Sequence, residues 1–181
     1  MKKVLSLLVA TSLFATGFTA HAQNDKSKRK SEPAEVKTTL TNGGAVITIN
    51  YSRPSVNGRV IGKDLEPMEG KIWRTGANEA TTFETSKDVR INGETLPAGK
   101  YSLFTIYNGK RATLIFNKTW KQWGAYEYKE ADDQLRVDAK VYDNNPPTEK
   151  LTINVNKGDG ETEILWGSKR LSFVIDPPRA G

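Results

Sequence analysis

Along much of the chain, apolar and polar residues alternate with a period of two. In residues 135–141, and again in residues 151–155, every second side chain is apolar. Successive side chains of a β-strand point to opposite faces of the sheet, so this alternation is typical of a strand with one buried face. The pattern predicts about nine short strands, at residues 38–41, 45–51, 88–91, 101–107, 112–116, 135–141, 151–155, 163–166 and 171–175.

Turn residues separate these segments at intervals of about ten residues. Asn42-Gly43-Gly44, Asn92-Gly93 and Asn108-Gly109 supply side chains that tolerate positive φ angles. Sustained helical periodicity is missing, and the best helix candidates are a turn or two in residues 118–122 or 130–134. The sequence therefore predicts an all-β fold, a single sandwich of short antiparallel strands, either jelly-roll or immunoglobulin-like.

Two aromatic residues have a predicted structural role in this sandwich. Tyr101 follows the reversal Pro97-Ala98-Gly99-Lys100 and begins a strand, where its hydroxyl can bond back to the loop backbone and fix a corner. Trp166 ends the apolar run Ile164-Leu165-Trp166, so we expect it in the core.

The first 22 residues have the composition of a secretory signal peptide. Lys2 and Lys3 precede a mostly apolar stretch, and Ala20-His21-Ala22 supplies small residues for cleavage. We therefore expect an exported, soluble protein, periplasmic or extracellular, with no transmembrane segment after cleavage. The predicted organisation is a signal peptide at 1–22, a disordered basic tail at 23–36, the sandwich domain at 37–176 and a C-terminal tail at 177–181.

The net charge does little to identify a partner. The 181 residues include 27 Lys and Arg against 21 Asp and Glu, a formal charge of +6, of which residues 39–181 carry only +2. Nucleic-acid binding needs clustered Lys and Arg on the folded domain. We therefore expect no nucleic-acid partner.

The chemistry available to the exported chain is restricted. Cysteine is absent and the one histidine, His21, lies in the predicted signal peptide. This excludes disulfides, a lipoprotein cysteine, thiol nucleophiles and the usual ligands of zinc, copper and haem, so we predict no metal and no cofactor. A hydrolase would need paired carboxylates. Glu79 and Glu84 are five residues apart, which puts them on opposite faces of a strand and disfavours a dyad, and we assign no catalytic residue.

Residues 73–81, Trp-Arg-Thr-Gly-Ala-Asn-Glu-Ala-Thr, lack a strand pattern and are rich in polar side chains. Irregular polar segments on a rigid β scaffold often carry binding function. Arg74, together with Arg53 and Arg59, offers forked donors for an anionic or polyhydroxyl ligand. The alternative is an internal network in which Arg74 pairs with Glu79 or another acid and pins a long loop.

A second candidate region is aromatic and contains Trp120, Trp123, Tyr126 and Tyr128. Exposed rings can stack on the apolar faces of sugars, whereas packing in the core or at a sheet edge is the more common fate of an aromatic ring. If the segment is a strand, Trp123 faces away from the other three rings. From both regions, the candidate ligand-binding residues are Arg53, Arg59, Trp73, Arg74, Asn78, Glu79, Trp123 and Tyr126.

Four blocks of the sequence carry a family resemblance. They are residues 51–59 (Tyr-Ser-Arg-Pro-Ser-Val-Asn-Gly-Arg), residues 73–81, residues 96–104 (Leu-Pro-Ala-Gly-Lys-Tyr-Ser-Leu-Phe), and residues 123–126 (Trp-Gly-Ala-Tyr) with 133–137. Over about residues 50–175 the chain resembles a family of secreted bacterial proteins known as domain of unknown function 2911. The resemblance implies export and a single compact β domain, and it implies no reaction.

We interpret the chain as an exported, non-catalytic binding or interaction module of the cell envelope. The ligand class that these residues favour is a polar or anionic small molecule or a carbohydrate. Two alternatives stay open: a cofactor-free, carboxylate-based hydrolase resembling a glycosidase, and a structural protein of the envelope.

Overall fold

The computed structural model describes residues 29–178, which form ten antiparallel β-strands. The strands are β1 (Glu32–Thr39), β2 (Val46–Arg53), β3 (Ile72–Trp73), β4 (Thr82–Thr85), β5 (Val89–Ile91), β6 (Glu94–Leu96), β7 (Gly99–Asn108), β8 (Arg111–Asn117), β9 (Asp133–Val155) and β10 (Glu161–Asp176). Their order in the sheet is β1-β2-β4-β7-β8-β9-β10-β5-β6, and β3 pairs with β7. A 3-10 turn at Glu130–Asp132 precedes β9 and lies within one of the two helix candidates.

The sheet folds back on itself, and this brings the chain that follows β2 next to the second half of β9. Ser55 and Lys150 form an isolated antiparallel bridge, and the Val56 amide donates to the Glu149 carbonyl at 2.9 Å. The folded sheet encloses one main core, to which nine of the ten strands and the turn between β1 and β2 contribute buried residues, and Ala34 and Val36 of β1 pack against it. The prediction of a single all-β sandwich is confirmed.

The period-two stripes identify the inner face of the sheet correctly. Ile47 and Ile49 of β2 and Leu151 and Ile153 of β9 are buried, while the residues between them are less buried or exposed. Trp166 is also in the core, 1% exposed, and its indole N–H donates to the Glu66 carbonyl at 2.8 Å. Burial of these alternate side chains is the main source of stability for the sandwich.

The predicted turns and the tyrosine corner are present. Asn92 and Gly93 both have positive φ angles, 48° and 94°, and join β5 to β6. Such angles are those of a two-residue hairpin turn, whose twist matches that of the flanking strands. The Tyr101 hydroxyl donates to the Pro97 carbonyl at 2.9 Å and fixes the corner that leads into β7.

The number and length of the strands differ from the prediction at specific places. The segments at 135–141 and 151–155 are parts of one long strand, β9, and those at 163–166 and 171–175 are parts of β10. The ladder between β9 and β10 shifts register on either side of Gly167, so both strands bend there without ending. Three short strands, β3, β4 and β6, were not predicted at all.

The folded domain begins earlier than expected. We placed residues 32–36 in a disordered tail, but they belong to β1, which pairs with β2 from Glu32 onward. β1 is an edge strand, and an edge tolerates both Pro33 and exposed polar residues, which is why this segment reads as a tail. The predicted signal peptide and residues 23–28 lie outside the described residues.

A second, smaller hydrophobic cluster lies outside the main core. Ala80, Phe104 and Ile115 are buried there. Phe104 and Ile115 alternate with the inward-facing residues of β7 and β8, so they project from the opposite face of the sheet. Ala125 and Tyr128 pack over them. This outer cluster holds residues 118–129 against the sheet and positions the candidate site.

Candidate functional site

Residues 118–129 connect β8 to the 3-10 turn, and we call this segment the aromatic loop. Its two ends are tied together at Asn117, which is fully buried. The Asn117 side-chain amide donates to the Lys129 carbonyl at 3.0 Å and to Asp133 Oδ1 at 2.8 Å. The loop therefore has a fixed base despite its length.

The underside of the aromatic loop is fixed by Tyr128. Its ring packs edge-on against Phe104, with centroids 5.2 Å apart, and its hydroxyl donates to Asp133 Oδ2 at 2.8 Å. Arg136 donates to both the Tyr128 hydroxyl and Asp133, each at 3.2 Å. Burial and the hydrogen bond to Asp133 raise the pKa of Tyr128 well above its ordinary value.

Residues 74–80, which we call the polar loop, lie beside the aromatic loop and pair with it. Glu79 and Trp123 form an isolated antiparallel bridge. On either side of it, the Ala80 amide donates to the Gln122 carbonyl and the Gly124 amide donates to the Asn78 carbonyl, both at 3.1 Å. The two loops therefore act as one supported unit.

Internal hydrogen bonds give the polar loop its shape. The Trp73 indole donates to the Gly76 carbonyl at 3.1 Å, and the Thr81 hydroxyl donates to the Thr75 carbonyl at 2.9 Å. Thr75 is fully buried with φ at +54°, a conformation that is costly for a β-branched residue, by about 1–3 kcal/mol. The surrounding hydrogen bonds stabilise this strained backbone.

A cleft of about 610 Å³ lies between the aromatic loop and the outer face of β2 and β4, and we call it the aromatic cleft. Trp120 and Trp123 stand at its rim and are 42% and 50% exposed. Its volume falls in the range of about 300–1,000 Å³ that small-molecule sites occupy. Tyr126 is 85% exposed and lies outside the lining of this cleft.

The residues that line the aromatic cleft include polar groups without partners. The Asn50 side-chain amide forms no hydrogen bond within residues 29–178. Thr82 Oγ1 and Gln122 Oε1 are buried, and neither has a hydrogen-bond partner in this part of the chain. The Gln122 orientation is fixed, because its Nε2 donates to the Thr119 carbonyl at 2.6 Å and only a nitrogen can do so.

Charged side chains border both tryptophans. Arg29 Nη1 forms an ion pair with Glu79 at 2.5 Å, and its guanidinium carbon lies 5.7 Å from the centre of the Trp123 ring. Lys100 Nζ lies 4.7 Å from the centre of the Trp120 ring and 3.2 Å from Glu84. Each ring is therefore covered on one side by a cation that a neighbouring carboxylate holds in place.

A second, smaller cleft of about 230 Å³ lies on the other side of the polar loop, and we call it the arginine cleft. Arg74, Arg59 and Lys30 line it. The Asn78 amide donates to the Ser31 carbonyl at 3.2 Å, so residues 29–31 lie along the polar loop, with Arg29 in one cleft and Lys30 in the other.

The comparison with protein families decides the family of the chain. The model of a protein family described as "Protein of unknown function (DUF2911)" matches residues 31–175. The chain belongs to the DUF2911 family. The match begins one residue before β1 and ends one residue before the last residue of β10, so it covers all of the sandwich except Asp176.

The further comparisons add no relative beyond the DUF2911 match. Searches of the curated proteins and of the solved structures find no match. Within residues 29–178, no helix has the length and apolar character needed to cross a membrane. In the same part of the chain, no three His, Cys, Asp or Glu side chains group in a way that could hold a metal ion.

The three predicted arginines of this DUF2911 domain do not form one cluster. Arg53 donates from Nε to the Leu151 carbonyl at 2.9 Å and from Nη2 to Thr152 at 3.0 Å, which ties β2 to β9. Arg59 donates to two carbonyls of its own turn. Within residues 29–178, Arg74 forms no ion pair with an acid, and Glu79 pairs with Arg29. The alternative that Arg74 pairs with Glu79 or another acid is therefore not met within this part of the chain.

The predicted aromatic residues also divide between site and core. Trp73 is 2% exposed and packs on Tyr107, with ring centroids 6.2 Å apart, so it supports the polar loop from within. Trp120, Trp123 and Tyr126 are exposed, which differs from the alternative that they pack in the core or at a sheet edge. The parity argument does not apply to them, because residues 118–129 of the DUF2911 domain are not a regular strand.

Several residues of the aromatic cleft were missed. Asn50 lies on the outer face of β2, opposite in parity to Ile49 and Tyr51, so the alternation carried a signal that it faces away from the core. Thr82 and Lys100 lie on the same face of β4 and β7, but β4 was not recognised as a strand. Nothing in the sequence pattern placed Arg29 in this cleft.

Proposed function

We propose that this DUF2911 protein is an exported, non-catalytic binding module whose aromatic cleft takes a neutral, polyhydroxylated ligand, a carbohydrate. The observation that carries the proposal is the pair of half-exposed indoles, Trp120 and Trp123, at the rim of a cleft lined by unpaired polar groups. An apolar surface interrupted by a few placed polar groups is typical of small-molecule sites.

The indoles support a ligand with flat apolar faces. An exposed tryptophan ring leaves a large apolar area in water, which burial against a ligand would stabilise by about 25 cal/mol for each Å² removed from water. Sugar rings present such C–H faces together with hydroxyl groups at their edges. Trp120 and Trp123 are fixed on a loop with a supported base, so little conformational entropy is lost when a ligand stacks on them.

The polar groups support a ligand that donates hydrogen bonds. Gln122 Oε1 is an acceptor only, and Thr82 Oγ1 can act as either donor or acceptor. Both atoms lie beneath the surface of the cleft, so a hydroxyl can donate to either of them once the lining side chains move to admit it, whereas a fully ionised carboxylate or phosphate has no proton to donate. A buried acceptor left unpaired costs about 1–3 kcal/mol, so this pairing would favour a hydroxylated ligand.

The carboxylates near the cleft favour binding over hydrolysis. Glu79 is paired with Arg29, and Glu84 is paired with Lys100 on the neighbouring strand. A glycosidase places two carboxyl groups on either side of the bond that breaks. The two carboxylates that line the cleft are Glu79 and Glu127, and because Glu79 is already held by a cation, the binding interpretation is the better supported one.

Calorimetric titration of the purified chain with neutral tetrasaccharides of glucose, mannose and N-acetylglucosamine tests the proposal. We expect at least one to bind, and we expect Trp120→Ala and Trp123→Ala each to weaken that binding by about tenfold or more. Tyr126→Ala is the matched control, because it removes an exposed ring of the same loop that does not line the cleft. Binding that survives both tryptophan substitutions in folded protein would refute the site.

A further inference from the structure

Arg74 differs from every other arginine in the described part of the chain. Arg29, Arg53, Arg59, Arg90, Arg111, Arg136 and Arg170 each donate to a carbonyl, a hydroxyl or a carboxylate. Within residues 29–178, Arg74 alone has a guanidinium with no hydrogen bond and no ion pair, and its Nε is buried.

Leaving a partly buried guanidinium unpaired is costly. The group carries five N–H donors, and burying a charge without a partner costs far more than burying a neutral group. Arg53 shows how the same fold treats a structural arginine: its Nε and Nη2 are both bonded. Arg74 is therefore a site where an acceptor is missing.

The surroundings of Arg74 are positively charged. Lys30 and Arg59 line the same cleft, and the acidic residue in its lining is Glu66, whose Oε2 already accepts from the Met68 amide at 2.8 Å. Arg59 is held in place by its bonds to the carbonyls of Ser55 and Val56. Two further cations beside an unpaired guanidinium raise the local affinity for a negative charge.

The close packing around Arg74 suggests that its head group is held in place. Arg74 Nη1 lies 3.4 Å from the position that a Cβ atom at Gly124 would take, which is van der Waals distance, so the guanidinium packs against the backbone of Gly124. A guanidinium fixed in this way binds a two-oxygen acceptor with little further loss of entropy.

We propose that the arginine cleft is a binding site for a small oxyanion group, a carboxylate, phosphate or sulfate, held by Arg74 with Lys30 and Arg59. The cleft of about 230 Å³ suits one such group. Its chemistry is the reverse of the aromatic cleft, because the unpaired atoms here are donors that need an acceptor. The site does not depend on which ligand the aromatic cleft binds.

Titration of the full chain with inorganic phosphate, inorganic sulfate and acetate, in a buffer of constant ionic strength, tests this site. We expect a saturable rise of the melting temperature with at least one of the three, since a ligand that binds only the folded state stabilises it. Arg74→Gln should weaken that binding by about tenfold or more. Arg111→Gln is the matched control, because it removes the same charge from an exposed ion pair with Asp138 outside the arginine cleft.

A second measurement on the unsubstituted chain keeps the test decisive if Arg74→Gln fails to fold. In nuclear magnetic resonance spectra of the ¹⁵N-labelled chain, the Nε–H signal of Arg74 should shift when the anion that binds is added. The Nε–H signal of Arg53 should not shift. Phosphate or sulfate acting alone would identify a tetrahedral oxyanion, and acetate acting alone a carboxylate. No shift at Arg74 with any of the three anions, or an equal shift at Arg53, would overturn the proposal.

Discussion

Trp123 and Glu79 pair through their backbones, in an isolated bridge that joins the aromatic loop to the polar loop. The same two residues line the aromatic cleft with their side chains. Because backbone hydrogen bonds of Ala80 and Gly124 extend the bridge on either side, the position of the Trp123 ring depends on the shape of the polar loop. The two clefts therefore share one support.

Gly124→Ala should disturb this support. Gly124 has φ at +64°, and an added Cβ would come within 3.1 Å of the Tyr126 ring. Gly109→Ala is the matched control, since Gly109 has φ at +62° with open space around it. We expect chemical denaturation to give a loss of about 1 kcal/mol for Gly109→Ala and about 2–3 kcal/mol for Gly124→Ala. Equal losses would mean that the packing at Gly124 contributes nothing.

Arg29→Gln should strengthen carbohydrate binding. The substitution removes the ion pair with Glu79 and frees the face of Trp123 on which the guanidinium lies. Each of these contacts is worth about 0.5–1 kcal/mol, so if the ligand must displace both, we expect the affinity to rise about five- to thirtyfold. Calorimetric titration with the tetrasaccharide that binds measures this, with Arg111→Gln as the charge-matched control. A loss of affinity would show that Arg29 holds the ligand instead of competing with it.

Tyr128 should make the domain sensitive to alkali. Burial and the hydrogen bond to Asp133 raise its pKa above the ordinary value of 10.0, so the folded state favours the neutral phenol. Its contribution to the free energy of unfolding is fully present below pH 10 and is lost as the pH rises above 10. Between about pH 8 and 11, the free energy of unfolding obtained from denaturation curves should fall less steeply with pH for Tyr128→Phe than for the unsubstituted chain. Tyr126→Phe, a change at an exposed ring, should leave the slope as it was.

The sequence predicted the sandwich because its inner face is encoded locally. Alternation over a few residues is enough to identify Ile47 and Ile49, or Leu151 and Ile153, as buried. It cannot identify β4, Thr-Phe-Glu-Thr, which is a strand only because β2 and β7 pair with it on both sides. Such pairing is a property of distant parts of the chain.

The full length of β9 and the candidate site were less predictable for the same reason, because both depend on contacts with distant residues. Residues 142–150 contain two prolines and mostly polar side chains, which is typical of a loop, yet they belong to β9. Residues 118–129 contain the aromatic residues of a core, but the outer cluster needs just Ala125 and Tyr128 from them. Trp120 and Trp123 are exposed because the packing of this segment on the outer cluster does not extend to them. Arg29 lies in the cleft because it pairs with Glu79, which is 50 residues away in the sequence.

The most direct test of the aromatic cleft follows the indole N–H signals of the four tryptophans during titration with a neutral tetrasaccharide. Trp73 and Trp166 are buried and donate their indole N–H groups to the carbonyls of Gly76 and Glu66, whereas Trp120 and Trp123 stand at the rim of the cleft. We predict that the signals of Trp120 and Trp123 shift together and saturate at one ligand concentration, while those of Trp73 and Trp166 stay in place. Binding that shifts neither rim signal would contradict the account.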